Sequence, residues 1–206
     1  MTDRKEIISD INKIVIKIGT SSINTEEGRL NHPFMDNIAS QVAALHEMGK
    51  RVILVSSGAI GIGIDMLSFD SRPREIPVRQ ACAAVGQSML MQEWSNSFAR
   101  YNLKVAQILL TYESFSNRLT YLNLRNSIST LLSYGVIPII NENDPTSVNE
   151  IEATFGDNDK LSAMVASKIE ADLLIVLSDI DGLYDKNPKR NHDANFISVI
   201  DEITPE

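Results

Sequence analysis

The chain has 206 residues, enough for one α/β domain with a full core and too few for two comfortable ones. Its 19 basic against 27 acidic residues give a net charge of -8, which argues against nucleic acid or an anionic membrane as the main partner and leaves room for a local basic pocket. A single cysteine, Cys82, excludes a disulfide framework; with no apolar run of membrane-spanning length and no signal-peptide stretch in MTDRKEIISD, a soluble cytoplasmic protein is expected.

KIVIKI (13–18) reads as the first strand and runs into GTSS. Lys17 stands there among isoleucines. It needs an anion, either a neighbouring carboxylate or a bound phosphate, unless its stem carries the charge out to water. Ile38, Val42 and Leu45 follow at helical spacing and stop at Gly49. RVILV (51–55) is the second strand, followed by SSGAIGIG. Its two hydroxyls and Gly58, Gly61 and Gly63 allow close backbone approach to a ligand and leave N–H groups for an anion. The run fits neither GxGxxG before a helix nor the Walker pattern, so neither dinucleotide nor P-loop binding is supported.

Pro77 opens a helix whose apolar positions are Val78, Cys82, Val85 and Met89. VAQILL (105–110) is the third strand, and Leu124, Ile128, Leu131 and Leu132 mark a helix ending at Gly135. VIPII (136–140) is the fourth strand and leads into NENDPTS, where Asn141, Asn143 and Asp144 cluster before a proline. A turn uses such residues for backbone reasons alone, while a place at the edge of the sheet points their side chains at a substrate. GDNDKLSA (156–163) opens a helix buried through Leu161, Met164, Val165 and Ile169. Asp157 as N-cap and Asp159 in the first turn would serve the helix without any chemistry. LLIVL (173–177) is the last strand, with Ser178 and Asp179 where it meets the DG turn of SDIDGLYDKNP.

Strand and helix alternate throughout, and the strands are continuous apolar runs. This predicts an α/β fold with a mostly parallel central sheet sandwiched between helices. Such sheets bind ligands beyond the carboxyl ends of their strands. Four of those ends present Lys, Ser/Gly, Asn/Asp and Ser/Asp, with GDND beside them, and that convergence favours chemistry over capping. His32, His46 and His192 are scattered without ligand spacing, so no metal-ligating residues are assigned, and GxSxG does not occur. Lysine, aspartate, hydroxyls and glycine amides remain. They build a phosphoryl-transfer site by positioning and charge neutralisation, usually with Mg²⁺.

The stretches IVIKIGTSS, VILVSSGAIGIG, AAVGQ, VIPIINEND, GDNDKLSA and LSDIDGLY, in this order and spacing, resemble the amino acid kinase family from Ile14 to the end. INEND with GDNDKLSA, and AVGQ, resemble its glutamate-phosphorylating members in particular. The resemblance implies a three-layer αβα fold, ATP as co-substrate with Mg²⁺, and L-glutamate as the acceptor, giving γ-glutamyl phosphate for proline biosynthesis. Residue by residue, it implies Lys17 at the ATP phosphates and Asp159 holding that lysine, with Ser57, Asp144 and Asn158 on glutamate and Ser178 with Asp179 on the nucleotide side. A glutamate side chain, which ordinarily titrates near pH ~4.3, is already ionised at neutral pH and needs no general base.

Homo-oligomerisation and feedback inhibition by proline are implied by the same resemblance. Family members of this branch continue into a glycine-rich stretch ending in Thr-Lys that helps hold ATP, and many carry a PUA domain. Residues 1–206 are therefore expected to be a kinase catalytic domain without its C-terminal part and without a PUA domain. Acetylglutamate, aspartate or uridylate are the alternative acceptors, and a nucleotide or amino-acid binding module without turnover is the alternative of a different class.

Overall fold

Runs of Ile, Val and Leu form the central sheet of the computed structural model, which describes residues 10–25, 29–111, 113–146 and 158–200. Its strands are β1 (Lys13–Ile18), β2 (Arg51–Ser56), β3 (Val105–Leu110), β4 (Ile137–Glu142) and β5 (Leu173–Leu177). They lie in the order β3-β4-β2-β1-β5, and every pairing is parallel. All five carboxyl ends therefore share one edge. A short antiparallel ladder, β6 (Leu183–Tyr184) with β7 (Phe196–Ile197), follows where the sequence indicated only a turn and a proline-closed loop.

Among the described residues there are seven helices: α1 (Thr20–Ile23), α2 (His32–Glu47), α3 (Ala59–Met66), α4 (Ile76–Ala99), α5 (Glu113–Ser116), α6 (Arg118–Ser133) and α7 (Asn158–Lys168). Their boundaries follow local chemistry. Asn31 caps α2 by accepting from Phe34 N–H, and Asn117 caps α6 by accepting from the N–H groups of Leu119 and Thr120. Pro77 lies in the first turn of α4. Gly49 and Gly135 stop α2 and α6 with φ of 78° and 68°, a left-handed conformation that glycine adopts without a Cβ clash. No helix among the described residues is long and apolar enough to cross a membrane.

Alternation along each strand divides the core into two layers. Ile14, Ile16 and Ile18 of β1, with Val52 and Leu54 of β2, pack on Met35, Ile38 and Val42 of α2 and on Leu90, Trp94 and Phe98 of α4. Val15, Ile53, Val55 and Ile140 face the other way, onto Ile128 of α6 and Leu161 and Val165 of α7. Each such side chain contributes roughly 1.5–3 kcal/mol by leaving water. The same alternation puts Lys17 on the α7 side, two residues beyond Val15.

Two features depart from expectation. The fourth strand runs on through Asn141 and Glu142, which pair with Leu109 and Leu110 of β3, so half of NEND is buried sheet and not loop. The glycine-rich run after β2 is helix α3, with Gly58 as a left-handed N-cap (φ 107°) and Gly61 and Gly63 inside it. A Cβ at Gly63 would lie 1.8 Å from Cys82 O, and one at Gly86 1.9 Å from Ala59 O. A Cβ at Gly61 would lie 2.2 Å from Asn24 Nδ2. Gly61 and Gly63 thus admit the protein's own Asn24 and helix α4, and the ligand-approach role expected for them is corrected.

At the opposite edge, the Asp172 carboxylate accepts from Asn12 N–H at 2.8 Å and Lys13 N–H at 2.7 Å, fixing the start of β1. The Lys13 N–H bond, followed by that of Asn12, holds its carboxyl below the ordinary value. A depressed folded pKa contributes stability that is complete above the unfolded value and is lost as pH falls through the folded one. Asp172→Ala is therefore expected to lower the melting temperature at neutral pH. The gap to wild type should close in melts run well below pH 3.8, the ordinary value; a gap that persists there would show that charge is not its source.

Candidate functional site

At the shared carboxyl edge, β1 delivers Lys17 onto the face covered by α7. Its Nζ lies 2.5 Å from Asp159 Oδ1, with the lysine side chain 10% exposed and the aspartate 61%. The difference in exposure defines the pair: a nearly buried ammonium is neutralised by a carboxylate that stays in water. Asp159 sits in the first turn of α7, where the helix dipole favours negative charge.

Consecutive residues on a helix point about 100° apart, at 3.6 residues per turn, so Asn158 turns toward different strands. Its Nδ2 donates to Ser57 Oγ at 2.6 Å and to Asn141 Oδ1 at 3.0 Å. Asn141 Nδ2 donates in turn to Gln87 Oε1 of α4 at 2.8 Å. The polarity of this relay is set by the backbone: Glu142 N–H can only donate, and it donates to Asn141 Oδ1 at 2.9 Å. The atom of Asn141 facing Gln87 is therefore the amide nitrogen. The atom of Asn158 facing Asn141 is likewise nitrogen. With both Nδ2 protons engaged, Asn158 Oδ1 is left to accept, and Ser57, whose oxygen already accepts, is left to donate.

The two hydroxyls after β2 have separate duties, as strand alternation requires. Ser56 is fully buried on the α4 face and accepts from Trp94 Nε1 at 3.1 Å, whereas Ser57 faces α7. Ser57 lies one strand over from Lys17 (~4.8 Å) and two residues further along (~6.6 Å), close enough for one small ligand to touch both. Asp144 is buried within the turn 143–146, which Thr146 N–H closes onto Asn143 O at 3.0 Å. Turn formation and a buried carboxylate coexist at this residue.

Ser178 and Asp179 follow β5, the strand paired with β1 on its other side. Both are exposed; Lys189 donates to the Asp179 carboxylate and, with its charge, holds that carboxyl below the ordinary range. The structure thus joins Lys17 to Asp159 and Ser57 to Asn158, with Asp144 in the turn after β4. Ser178 and Asp179 form a separate polar group at the β5 end. Asp157, the expected N-cap, lies outside the described residues. Sequence reasoning placed Asn141 in the polar cluster after β4 without giving it a role, and it did not single out Gln87, although both lie in stretches that carried the resemblance, INEND and AVGQ. Among the described residues, no cluster of three or more His, Cys, Asp or Glu side chains is placed to hold a metal ion.

The parallel α/β sheet thus gathers a lysine–aspartate pair, a hydroxyl and an oriented amide relay at its carboxyl edge, where open sheets of this kind bind ligands. The chain belongs to the amino acid kinase family, whose profile matches residues 12–206. The glutamate 5-kinase of Methanococcoides burtonii is 73% identical over 205 residues, covering all of this chain and 55% of that protein. That of Methanosarcina mazei is 65% identical, with 55% of its length covered, and that of Clostridium acetobutylicum is 50% identical, with 76% covered. The chain thus spans about half the length of several of the curated relatives it matches. The crystal structure of a UMP kinase from Bacillus anthracis shares the fold, with a TM-score of 0.56 over 89% of this chain and 72% of that one at 15% identity.

Proposed function

We propose that this chain binds L-glutamate and the phosphates of ATP and transfers the γ-phosphoryl group to the glutamate side-chain carboxylate, giving γ-glutamyl phosphate and ADP for proline biosynthesis. The observation that carries this reading is the polarity of the relay, which offers one hydroxyl donor and one amide acceptor, with the buried carboxylate of Asp144 in the turn after the same strand as Asn141. That set matches a zwitterionic amino acid. The Ser57 O–H suits a carboxylate, while Asn158 Oδ1 and Asp144 suit an α-ammonium. High identity to glutamate 5-kinases supports the choice of acid.

In this reading an oxygen of the side-chain carboxylate attacks the γ-phosphorus, the bond to the β-phosphate oxygen breaks, and no proton moves. The obstacle is repulsion between anions. Lys17 lowers it by meeting the charge on the phosphoryl oxygens, and Asp159 keeps the ammonium at the strand end. Ser178 and Asp179 serve the nucleotide side, where Lys189 must yield its contact. Mg²⁺ is assigned to the nucleotide phosphates, since it is commonly bound through substrate phosphates and one or two carboxylates. A cytoplasmic location, homo-oligomerisation and proline sensitivity belong to the same proposal.

The test is ADP release and hydroxamate trapping of acyl phosphate with ATP, Mg²⁺ and a panel of L-glutamate, L-aspartate and acetylglutamate, with uridylate followed by ADP alone. L-Glutamate should be preferred by at least about tenfold in kcat/KM, because an acceptor that leaves a buried polar group of the site unpaired loses at least that much. Equal or better turnover with another acceptor would overturn the assignment.

A further inference from the structure

Gln87 touches none of the groups assigned above to substrate, and yet it ends the relay that orients them. It is buried on α4, at the point where Gly86 lets that helix close on α3. Its Oε1 accepts from Asn141 Nδ2 at 2.8 Å, while its own Nε2 is buried with no partner among the described residues. A methionine of similar length would fill the same space without that orphan donor. The polar contact is thus made at a cost, and the Oε1 bond is what it yields.

That bond acts on orientation. If the Asn141 amide turned over, an oxygen would face Gln87 Oε1 and a nitrogen would face both Glu142 N–H and Asn158 Nδ2, so three contacts would become repulsive. Without the Gln87 acceptor, Asn141 Nδ2 is left buried and unsatisfied, and rotation becomes its relief. Asn158 then loses its second acceptor, and its own amide is no longer held with Oδ1 toward the ligand.

We infer that Gln87 is a positioning residue for the acceptor site: through Asn141 it holds Asn158 so that Oδ1 accepts and Ser57 donates. The amide orientation is a property of the fold, and its effect on the acceptor rests on the function proposed above. Gln87→Met removes the acceptor; Gln87→Glu keeps an oxygen there in either protonation state. Two readouts on the full chain test it.

In side-chain NMR, the Nδ2 protons of Asn141 and Asn158 should exchange with solvent about tenfold faster or more in Gln87→Met than in wild type, and return toward wild-type rates in Gln87→Glu. Unchanged rates in Gln87→Met would overturn the positioning role. In kinetics, Gln87→Met should raise KM for glutamate about tenfold or more, with KM for ATP and kcat at saturation within about threefold of wild type, and Gln87→Glu should recover most of the loss. An unchanged glutamate KM, or a parallel rise for ATP, would also overturn it. Should wild type transfer no phosphoryl group to glutamate while the amide protons respond as stated, the glutamate reading falls and the positioning of Asn158 by Gln87 stands.

Discussion

Lys17→Met is expected to lower turnover with ATP and L-glutamate by about two to three orders of magnitude, with little change in melting temperature. The size of the effect follows from when the charge is needed. An ammonium fixed at the strand end meets charge that shifts during transfer, and a preorganised donor in a poorly hydrated site commonly contributes that much. The fold is spared because methionine fills the same space, and the partner left behind is Asp159, 61% exposed and stable in water. Asp159→Ala should differ in kind: turnover falls, and the melting temperature falls too, because it leaves the 10%-exposed Lys17 side chain without its counterion. The stability part should be modest, since a pair with one exposed member is partly screened. Activity and thermal melts of both variants check this. Near-normal turnover of Lys17→Met with an unchanged circular dichroism spectrum would remove Lys17 from the chemistry.

Gly86→Ala should destabilise the protein by about 3 kcal/mol or more, lowering the melting temperature by roughly 6–12 °C for a domain of this size. Helix propensity alone predicts the opposite sign, since alanine is favoured over glycine in a helix by about 1 kcal/mol. Packing decides against it. The added Cβ would lie 1.9 Å from Ala59 O and 2.6 Å from Gly63 N, both backbone atoms of α3 that no rotamer can move. Gly63→Ala meets Cys82 O at 1.8 Å and should behave likewise. Gly49→Ala is the control: nothing lies within 4 Å, and only its positive φ of 78° is strained, so its loss should be about 1 kcal/mol. Denaturant melts of the three variants rank these effects. If Gly86→Ala were as stable as wild type, α3 and α4 would not cross at this glycine, and Gln87 would lose the support that brings it to Asn141.

The strands were legible because a parallel strand covered on both faces is an uninterrupted apolar run, and KIVIKI, VAQILL and LLIVL are that. Helix ends were legible at Gly49, Pro77 and Gly135, where one residue's backbone geometry suffices. The run SSGAIGIG was not. A glycine that admits a ligand and a glycine that admits a neighbouring helix look the same in sequence, and only the position of Cys82 separates them. The end of β4 was misplaced for a similar reason. Asn141 and Glu142 have no strand propensity of their own and are held in the sheet by pairing with β3.

The sequence by itself determined which chemistry the carboxyl edge of the sheet has available. It places Lys17, Ser57, Asp144 and Ser178 at the ends of four of the five strands, since strand periodicity and strand ends are short-range signals written in adjacent residues. It also distinguished Asn158 from Asp159, because neighbours on a helix cannot share a direction. Only the tertiary structure decided which groups meet and in which sense each hydrogen bond runs. Asn158 reaches Ser57 across 101 residues and Asn141 reaches Gln87 across 54, contacts that exist because α7 and α4 cover opposite faces of one sheet. The direction of the relay rests on a single backbone N–H at Glu142. Whether an amide presents its oxygen or its nitrogen to a ligand depends on what lies on its far side, and that is settled by packing between layers and by nothing in the local sequence.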